Sequence, residues 1–292
     1  MHRDLSITVP AERSEALCRE LQALEGVIGL TLNRGASRKP PGDVLVVHAL
    51  NRATDEILRL VAVAREAGPV SVTTAELASL IDPDHQEAIE DDTDEAIWEE
   101  METGLRQQAR VTPNYLVLMA LGGSIATVGL VSGTGPRELY FISSAIIAPG
   151  LESLGKLSLG LVLRRGSLVW RATKSFLSGY TLVVLASAIT YLLLQASGLP
   201  VYPEFTENEE VQRLAHPGAR ELLVSGCGAL AGMVMYSTYR ESVIAGPLIA
   251  MVIIPAAAML GMAVVAQRWD LAGEALQRLG LDLLLITGAG VA

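Results

Sequence analysis

Basic and aromatic residues are scarce in this chain of 292 residues, and their scarcity limits its partners. Phe, Trp and Tyr make up 4% of the sequence, and 22 Lys and Arg stand against 32 Asp and Glu, a net charge of −10. Proteins that bind nucleic acids present basic patches to phosphates, and single-strand binders also stack bases on aromatic side chains. The composition therefore argues against nucleic acid as a partner.

Motifs of catalysis and of metal binding are also missing. The sequence has no phosphate-binding loop with Gly-Lys-Ser/Thr, no His-Glu-x-x-His and no Gly-x-Ser-x-Gly elbow. The histidines are scattered, and the two cysteines, Cys18 and Cys227, lie in segments of different polarity. We therefore expect no enzyme activity, no metal centre, no cofactor and no disulfide.

Charge is distributed unevenly along the chain. Residues 1–111 carry 11 Lys and Arg against 21 Asp and Glu, whereas residues 112–292 carry 11 of each, placed around long apolar runs. A chain of this length corresponds to about two domains. The pattern predicts a soluble domain over residues 1–81, an acidic amphipathic linker helix over residues 82–111, and a helical transmembrane domain over residues 112–292.

Strand and helix patterns alternate in the predicted soluble domain. Four apolar or alternating runs predict strands: Leu5–Val9, Val27–Leu32, Val44–Leu50 and Val70–Thr74. Apolar residues at helical spacing predict one helix from about Ala11 and a second that Thr54 caps and Gly68 ends. The order βαββαβ is that of a ferredoxin-like α+β sandwich with two helices on one face of the sheet. We expect this domain to regulate or oligomerise the protein.

The predicted linker is strongly acidic. The stretch from Asp82 to Glu102 holds 11 carboxylates, while Ile97, Trp98 and Met101 recur at helical spacing. This pattern predicts an amphipathic helix that leads into the membrane. Its acidic face is explained either by simple solvation or by the sensing of cations.

Six apolar segments follow, and a spanning helix needs about 20 apolar residues. They are Tyr115–Val131, Leu139–Leu163, Phe176–Leu194, Leu222–Tyr236, Ser242–Ala266 and Leu271–Ala292. The loop Arg164–Lys174 holds four basic residues, whereas the loop Gln195–Arg220 is rich in Glu. Because cytoplasmic loops carry an excess of Lys and Arg, we expect a multi-pass protein of the cytoplasmic (inner) membrane of a prokaryote, with its N-terminal domain in the cytoplasm.

The second and fifth apolar segments share the pattern Ile-x-Pro-x4-Leu-Gly. It covers Ile147–Gly155 and Ile253–Gly261. Each segment is the centre of a three-span unit, and an odd number of spans forces two such units into opposite orientations, as in many secondary transporters. The pattern predicts two inverted three-helix repeats, although a pattern this short and apolar also arises by chance.

Polar residues surround these prolines. A proline removes a helix hydrogen bond and frees carbonyls that protein or water must satisfy. Glu152 and Lys156 are spaced to pair on one helix face, and charges at membrane depth cost about 2.5–3.5 kcal/mol each. They indicate either a polar pathway or an internal ion pair that ties helices together. The predicted substrate or ion pathway consists of Pro149, Gly150, Glu152, Lys156, Pro255 and Asp282.

Three glycines in the fourth apolar segment are spaced for helix packing. Gly226, Gly228 and Gly232 resemble a nucleotide-binding fingerprint, but they lie inside an apolar span, where small residues allow close helix contact. The edges of the predicted sheet also invite pairing with another chain. We therefore expect a homo-oligomer, with a dimer favoured.

Several stretches of the chain resemble a known family. The stretches Glu95–Met101 and Pro113–Leu116, followed by the Ala-Ile-Ile-Ala-Pro run of Ala145–Pro149, are similar to the uncharacterised hydrophobic membrane-domain family catalogued as domain of unknown function 389. The resemblance covers about residues 90–290. It implies a polytopic membrane domain with a small cytoplasmic domain before it, but it implies no activity. Glu152 stands where many relatives have small or apolar residues.

Two functions from different classes fit these features. The first is a transporter or channel for an unknown small solute or ion, in which the soluble domain gates or oligomerises the membrane domain. The second is a membrane-anchored sensory or scaffold protein whose spans mainly pack and assemble in the lipid bilayer. A water-filled path that reaches Glu152 would favour the first function, whereas a dry and fully packed bundle would favour the second.

Overall fold

The computed structural model describes residues 2–93, 110–132, 137–198, 205, 208–237 and 245–291. Its contacts divide the chain into two compact units, Met1–Trp98 and Glu99–Ala292. Each unit has a hydrophobic core of its own.

The N-terminal unit is built on a four-stranded antiparallel sheet. Its strands are β1 (His2–Val9), β2 (Val27–Arg38), β3 (Pro41–Leu50) and β4 (Ser71–Leu77). They lie side by side in the order β2-β3-β1-β4. Helix α1 (Ala11–Gln22) follows β1, and helix α2 (Thr54–Ala64) follows β3. The four predicted strands are confirmed and form an antiparallel sheet, although β2 runs beyond its predicted end because its pairing with β3 resumes at Ser37 and Gly42.

The core of this unit follows from the alternation of its strands. Leu5 and Ile7 of β1 and Leu45 of β3 are fully buried, while the residues between them point to the other face of the sheet. Leu17 of α1 and Ile57 of α2 belong to the same core cluster. Burying one such side chain stabilises the fold by about 1.5–3 kcal/mol.

The predicted cap of α2 is wrong. Thr54 is the first residue of the helix, and its buried hydroxyl makes no hydrogen bond. The Asp92 carboxylate instead accepts hydrogen bonds from the backbone N–H groups of Asn51, at 2.7 Å, and Arg52, at 3.3 Å. These two residues belong to a 3-10 turn that leads directly into the helix. A carboxylate from a distant position therefore satisfies N–H groups that a local cap would otherwise serve.

A short helix, α3 (Gln86–Glu90), precedes Asp92. The predicted amphipathic linker helix, with Ile97, Trp98 and Met101, lies outside the described residues.

The C-terminal unit is helical over most of its described length. Its helices are α4 (Pro113–Val131), α5 (Arg137–Ile147), α6 (Leu151–Val162), α7 (Gly166–Ala196), α8 (Glu209–Ala215), α9 (Ala219–Ser237), α10 (Ala245–Val265) and α11 (Trp269–Val291). Thr112 caps α4, because its hydroxyl accepts a hydrogen bond of 3.1 Å from the Tyr115 N–H. Pro113 occupies the first turn, where its missing N–H costs no hydrogen bond.

Two helices in the described part of the chain, α4 and α7, are long and apolar enough to cross a membrane. A third crossing results if α5 and α6, which bend by 53°, count as one broken span. These helices are typical of a membrane-associated protein. In the last predicted segment, α11 carries Glu274, Arg278 and Asp282, and in the fifth the apolar part of α10 is the shorter stretch Ala250–Val265.

Helix α7 packs closely against two neighbours. A Cβ atom at Gly123 of α4 would lie 2.7 Å from the carbonyl oxygen of Val183, and one at Gly261 of α10 would overlap the carbonyl oxygen of Val184. Glycine is therefore required at both positions for the backbones to approach this closely. These contacts fix α7 beside the elements that carry the candidate site.

Candidate functional site

The second apolar segment is broken where Pro149 stands. Helix α5 ends at Ile147, α6 begins at Leu151, and their axes differ by 53°. Pro149 has no N–H to continue the helix, and the Gly150 N–H donates to the Ala148 carbonyl at 2.8 Å instead. The break leaves backbone groups at both helix ends that need partners elsewhere.

Two buried tyrosines surround this break. The Tyr180 hydroxyl of α7 donates a hydrogen bond of 3.4 Å to the carbonyl oxygen of Gly150. The Tyr115 hydroxyl of α4 donates one of 3.1 Å to the carbonyl oxygen of Ser175. Phe176 packs against Tyr180 with ring centroids 4.4 Å apart. The Gly150 carbonyl thereby accepts a hydrogen bond from a side chain of another helix, in addition to one of 3.4 Å from the Ser153 hydroxyl.

Glu152 lies in the first turn of α6, where the helix dipole favours a negative charge. Its carboxylate interacts with its own backbone N–H, while the Oε2 atom is buried and has no hydrogen-bond partner. The carboxylate also lies within electrostatic range of the hydroxyls of Tyr115 and Tyr180. The sequence singled out Glu152 but missed the tyrosines, because an aromatic residue in an apolar helix reads as ordinary core.

The described residues show no ion pair between Glu152 and Lys156, although their spacing would allow one. Lys156 is buried on α6, with 3% of its surface exposed, and takes part in an interaction of its own. The Glu152 carboxylate, which Lys156 was expected to bind, interacts instead with the backbone N–H of Glu152 in the first turn of the helix. The two charges are therefore not a simple internal pair.

Pro255 differs from Pro149 in its effect on the backbone. It is buried inside α10, which continues from Ala245 to Val265. The expectation that both prolines break their helices therefore fails for Pro255. A continuous helix tolerates a proline where neighbouring helices or side chains satisfy the freed carbonyl.

The two proline segments nevertheless lie against each other. A Cβ atom at Gly150 would be 3.6 Å from the Cβ of Ala250 and 3.8 Å from the Cδ1 of Ile254. Ile254 directly precedes Pro255. The turn at Gly150 therefore lies beside the part of α10 that leads to Pro255.

Asp282 is buried in α11 and forms an ion pair with Arg278, one turn earlier. Arg278 Nε donates to Asp282 Oδ2 at 2.9 Å, and Arg278 Nη2 donates to the Ser225 hydroxyl oxygen at 2.6 Å. The two charged side chains are only 5% and 1% exposed. Asp282 Oδ1 and Arg278 Nη1 are buried without hydrogen-bond partners. The spacing of four residues could have identified Arg278, whereas no local signal points to Ser225.

Tyr180 connects the two acidic residues. Its hydroxyl lies within electrostatic range of both Glu152 on α6 and Asp282 on α11. Tyr180 of α7 is therefore within electrostatic range of one carboxylate on α6 and one on α11, and its hydroxyl contacts the Gly150 carbonyl. Such groups can bind a proton, a water molecule or a small cation through oxygen atoms.

The predicted packing glycines lie on α9. A Cβ atom at Gly226 or Gly228 would meet no other atom within 4 Å, whereas Gly232 is buried. Gly226 therefore has room for a closely packed helix, whereas Gly228, two positions further and so on the opposite side of α9, lines a small cavity with Ser225 and Asp282.

Metal ligands are not clustered in the ranges that the structure describes. No group of three or more His, Cys, Asp or Glu side chains there is arranged to hold a metal ion.

Comparison with known proteins identifies one family. The family model described as Domain of unknown function (DUF389) matches residues 145–287. The matched region contains the break at Pro149, Glu152 and the Arg278–Asp282 pair. No curated protein and no solved structure matches the chain.

Proposed function

Through residues 145–287 the chain belongs to the family of the domain of unknown function 389, and from this premise we propose that it is a transporter or channel for a small cation. The N-terminal unit is its regulatory or oligomerising domain on the cytoplasmic side. The family description assigns no activity, so the proposal depends on the geometry around the broken helix. No catalytic role is proposed for any residue.

The observation that carries this proposal is the state of Glu152. Its Oε2 atom is buried without a hydrogen-bond partner beside a helix break. A charge at membrane depth costs about 2.5–3.5 kcal/mol. The described residues show no ion pair between Glu152 and Lys156 that would offset this cost. Transport proteins bind their substrates where helices are interrupted near the midplane. A carboxylate oxygen without a hydrogen-bond partner at such a place is suited to bind a cation, and its negative charge repels an anion.

The proposed topology has six crossings. Helices α4, α7, α9, α10 and α11 each form one crossing, and α5 with α6 forms one broken crossing. The basic stretch Arg164–Lys174 then lies in the cytoplasm together with the N-terminal unit, as the excess of Lys and Arg in cytoplasmic loops requires. The membrane is the cytoplasmic membrane of a prokaryote.

Two finer features of the fold belong to the same proposal. The N-terminal unit is ferredoxin-like, which the strand order β2-β3-β1-β4 and the chain order β-α-β-β-α-β support. The broken crossing and α10 are counterparts in two inverted repeats. The contact of Gly150 with Ala250 and Ile254 supports this pairing of the two proline segments.

Reconstituted liposomes test the transport proposal. The purified chain is placed in vesicles, and the fluxes of H⁺, Na⁺ and K⁺ are measured one at a time with a trapped indicator dye. We expect at least one cation to cross faster than in protein-free vesicles, and Glu152→Gln to reduce that rate at least about tenfold, a barrier change of about 1.4 kcal/mol.

The matched control is Glu138→Gln, which makes the same chemical change at an exposed position of α5. This variant should keep the wild-type rate. Equal rates in wild type, Glu152→Gln and protein-free vesicles would contradict the proposal, and so would equal losses in the two Glu variants.

The open position at Gly226 supports a second candidate function, a membrane scaffold that assembles through its helices. A Cβ atom at Gly226 would meet nothing within 4 Å, and small residues let helices pack closely in lipid. On this account the chain forms a dimer through α9. Gly226→Leu should then convert the dimer to a monomer, measured as molar mass by light scattering in mild detergent. A wild-type chain that is monomeric at every concentration would contradict the scaffold.

A further inference from the structure

A small cavity lies beside Asp282, between helices α9, α10 and α11. Ser225, Gly228, Val252, Asp282 and Ile286 are among the residues that line it. Its volume is about 10 Å³, counted as the space open to the centre of a water molecule. This is about the minimum that holds one water molecule.

The cavity has polar groups for one water molecule. Asp282 Oδ1 has no hydrogen-bond partner although the side chain is 1% exposed, so it can accept a hydrogen bond from a water in the cavity. The Ser225 oxygen already accepts from Arg278 Nη2 at 2.6 Å, which leaves its own hydrogen free to donate to the same water. Buried waters require two to four such partners.

Other ligands fit this cavity less well. An organic solute exceeds its volume. A metal cation would find a single carboxylate, whose other oxygen already binds Arg278 at 2.9 Å, whereas Ca²⁺ and Mg²⁺ take at least six ligands. A proton needs no space beyond that of the water that delivers it.

Among the ionisable groups on the helices around the cavity, the Asp282 carboxylate is the one placed to accept that proton. Helix α10 has no ionisable side chain, and the sequence of α9 has Arg220 and Glu221, in its first turn, the thiol of Cys227, and Tyr236 near its end. Helix α6 contributes Glu152 and Lys156. Helix α7 contributes the hydroxyl of Tyr180, which is within electrostatic range of Asp282.

The remaining charges near α11 are paired with one another. Within α11, Arg278 binds Asp282, and Asp270 pairs with Arg268 just before the helix. Arg213 of α8 pairs with Glu209 and Glu210. The Oε1 atom of Glu274 on α11 lies 3.3 Å from the Nε2 atom of His216, the residue that follows α8.

We propose that Asp282 is a proton-binding site of the C-terminal unit and exchanges its proton with one water molecule in this cavity. A proton passes from the water in the cavity to Oδ1, where an O–H bond forms as an O–H bond of the water breaks, and the water takes up a proton from the solvent in its place. Oδ2 keeps its hydrogen bond from Arg278 throughout. The charge of the site changes from zero to +1, because the Arg278 cation is no longer balanced. This site goes beyond the proposed transport at Glu152 and does not require it.

Infrared spectroscopy tests the site without any knowledge of a substrate. The purified chain, reconstituted in lipid and labelled with ¹³C at the aspartate carboxyl carbon, is taken from about pH 8 to about pH 5. Water-exposed aspartates stay mostly ionised over this range, since their pKa is near 3.9. We expect a protonated-carboxyl band to appear as the pH falls, and we expect the ¹³C label to shift it. Its absence, or its failure to shift with the label, would overturn the proposal.

Two variants assign the band to one residue. Asp282→Asn should abolish the labelled band. If Arg278 left unpaired in that variant prevents folding, Asp282→Glu keeps the charge but carries no label, so the band should return to its unlabelled frequency. Glu152→Gln should leave the labelled band unchanged. A labelled band that survives both Asp282 substitutions would assign it to another aspartate and reject the site.

Discussion

The hydroxyl of Tyr180 donates a hydrogen bond to the backbone carbonyl of Gly150 across 3.4 Å. This contact joins the long helix α7 to the break between α5 and α6. It also holds a phenol within electrostatic range of both Glu152 and Asp282. The position of the break therefore depends on a residue thirty positions further along the chain, as well as on the proline that causes it.

Tyr180→Phe should lower the stability of the C-terminal unit. The variant keeps the ring that packs on Phe176 but removes one of the two side-chain hydroxyls that donate to the Gly150 carbonyl, the other being that of Ser153. Loss of one such hydrogen bond costs about 0.5–1.5 kcal/mol. The measurement is the thermal unfolding midpoint in detergent. Tyr140→Phe is the control, because no hydrogen bond is described for the Tyr140 hydroxyl, and an equal decrease in both variants would refute the role of Tyr180.

Asp92→Ala should loosen the start of α2. Asp92 accepts hydrogen bonds from the N–H groups of Asn51 and Arg52 and lies 3.3 Å from His2 Nδ1. Substituting a capping carboxylate by Ala costs about 0.5–2 kcal/mol. Hydrogen exchange of the Asn51 and Arg52 amides in the full chain should therefore quicken several-fold. Asp91→Ala, at the exposed neighbouring position, should leave both rates unchanged.

Ser14→Ala should destabilise the N-terminal unit in a pH-dependent way. The Ser14 hydroxyl donates to Asp43 Oδ2 at 2.6 Å, and the Gly35 N–H donates to Oδ1 at 2.7 Å. These hydrogen bonds hold the pKa of the Asp43 carboxyl below its usual 3.8. A carboxyl with a lowered pKa in the folded state stabilises the fold above pH 3.8, and this stabilisation is lost as the pH falls through the lowered value.

The stability gap between wild type and Ser14→Ala should therefore be widest near neutral pH and should narrow in acid. Thermal unfolding followed through the infrared band of the β-sheet measures it, because the sheet belongs to the N-terminal unit. Ser6→Ala provides the control, because Ser6 lies on the face of β1 that is opposite to its fully buried side chains. A gap that stays constant from neutral pH into strong acid would mean that Ser14 does not act through the ionised Asp43.

Gly261→Ala should be poorly tolerated and Gly226→Ala well tolerated. A Cβ atom at Gly261 would overlap the Val184 carbonyl oxygen and lie 3.2 Å from the Ala188 nitrogen, whereas one at Gly226 would meet nothing within 4 Å. Overpacking of this kind costs about 1–3 kcal/mol. Unfolding midpoints in detergent check both variants. A larger loss for Gly226→Ala than for Gly261→Ala would show that the helix contacts are different from those described.

Local sequence patterns predicted the features that local physics controls. The alternation in Leu5–Val9 and Val44–Leu50 predicted two strands of the sheet, and Pro149 marked the broken helix because proline lacks an N–H. The same rule failed for Pro255, since packing inside α10 keeps that helix continuous. Proline weakens a helix, and whether the helix breaks depends on its tertiary neighbours.

The partners of the candidate site could not be predicted in the same way. Tyr180 and Ser225 contact residues 30 and 53 positions away in the sequence. Their residue types are common in cores and loops, so no spacing distinguishes them before the helices and strands are in place. The charged residues Glu152 and Asp282 were predictable because a charge in an apolar segment is costly.

The access of water to position 152 tests the central claim most directly. Cys18 and Cys227 are replaced by Ser, and single cysteines are introduced as Glu152→Cys and Leu154→Cys. Each variant is treated in liposomes with a membrane-impermeant cationic thiol reagent, and labelling is measured by mass spectrometry. Leu154 is fully buried on the same helix and serves as the matched control. We predict that Glu152→Cys is labelled and Leu154→Cys is not, whereas no labelling at position 152 in a correctly folded variant would contradict a cation pathway.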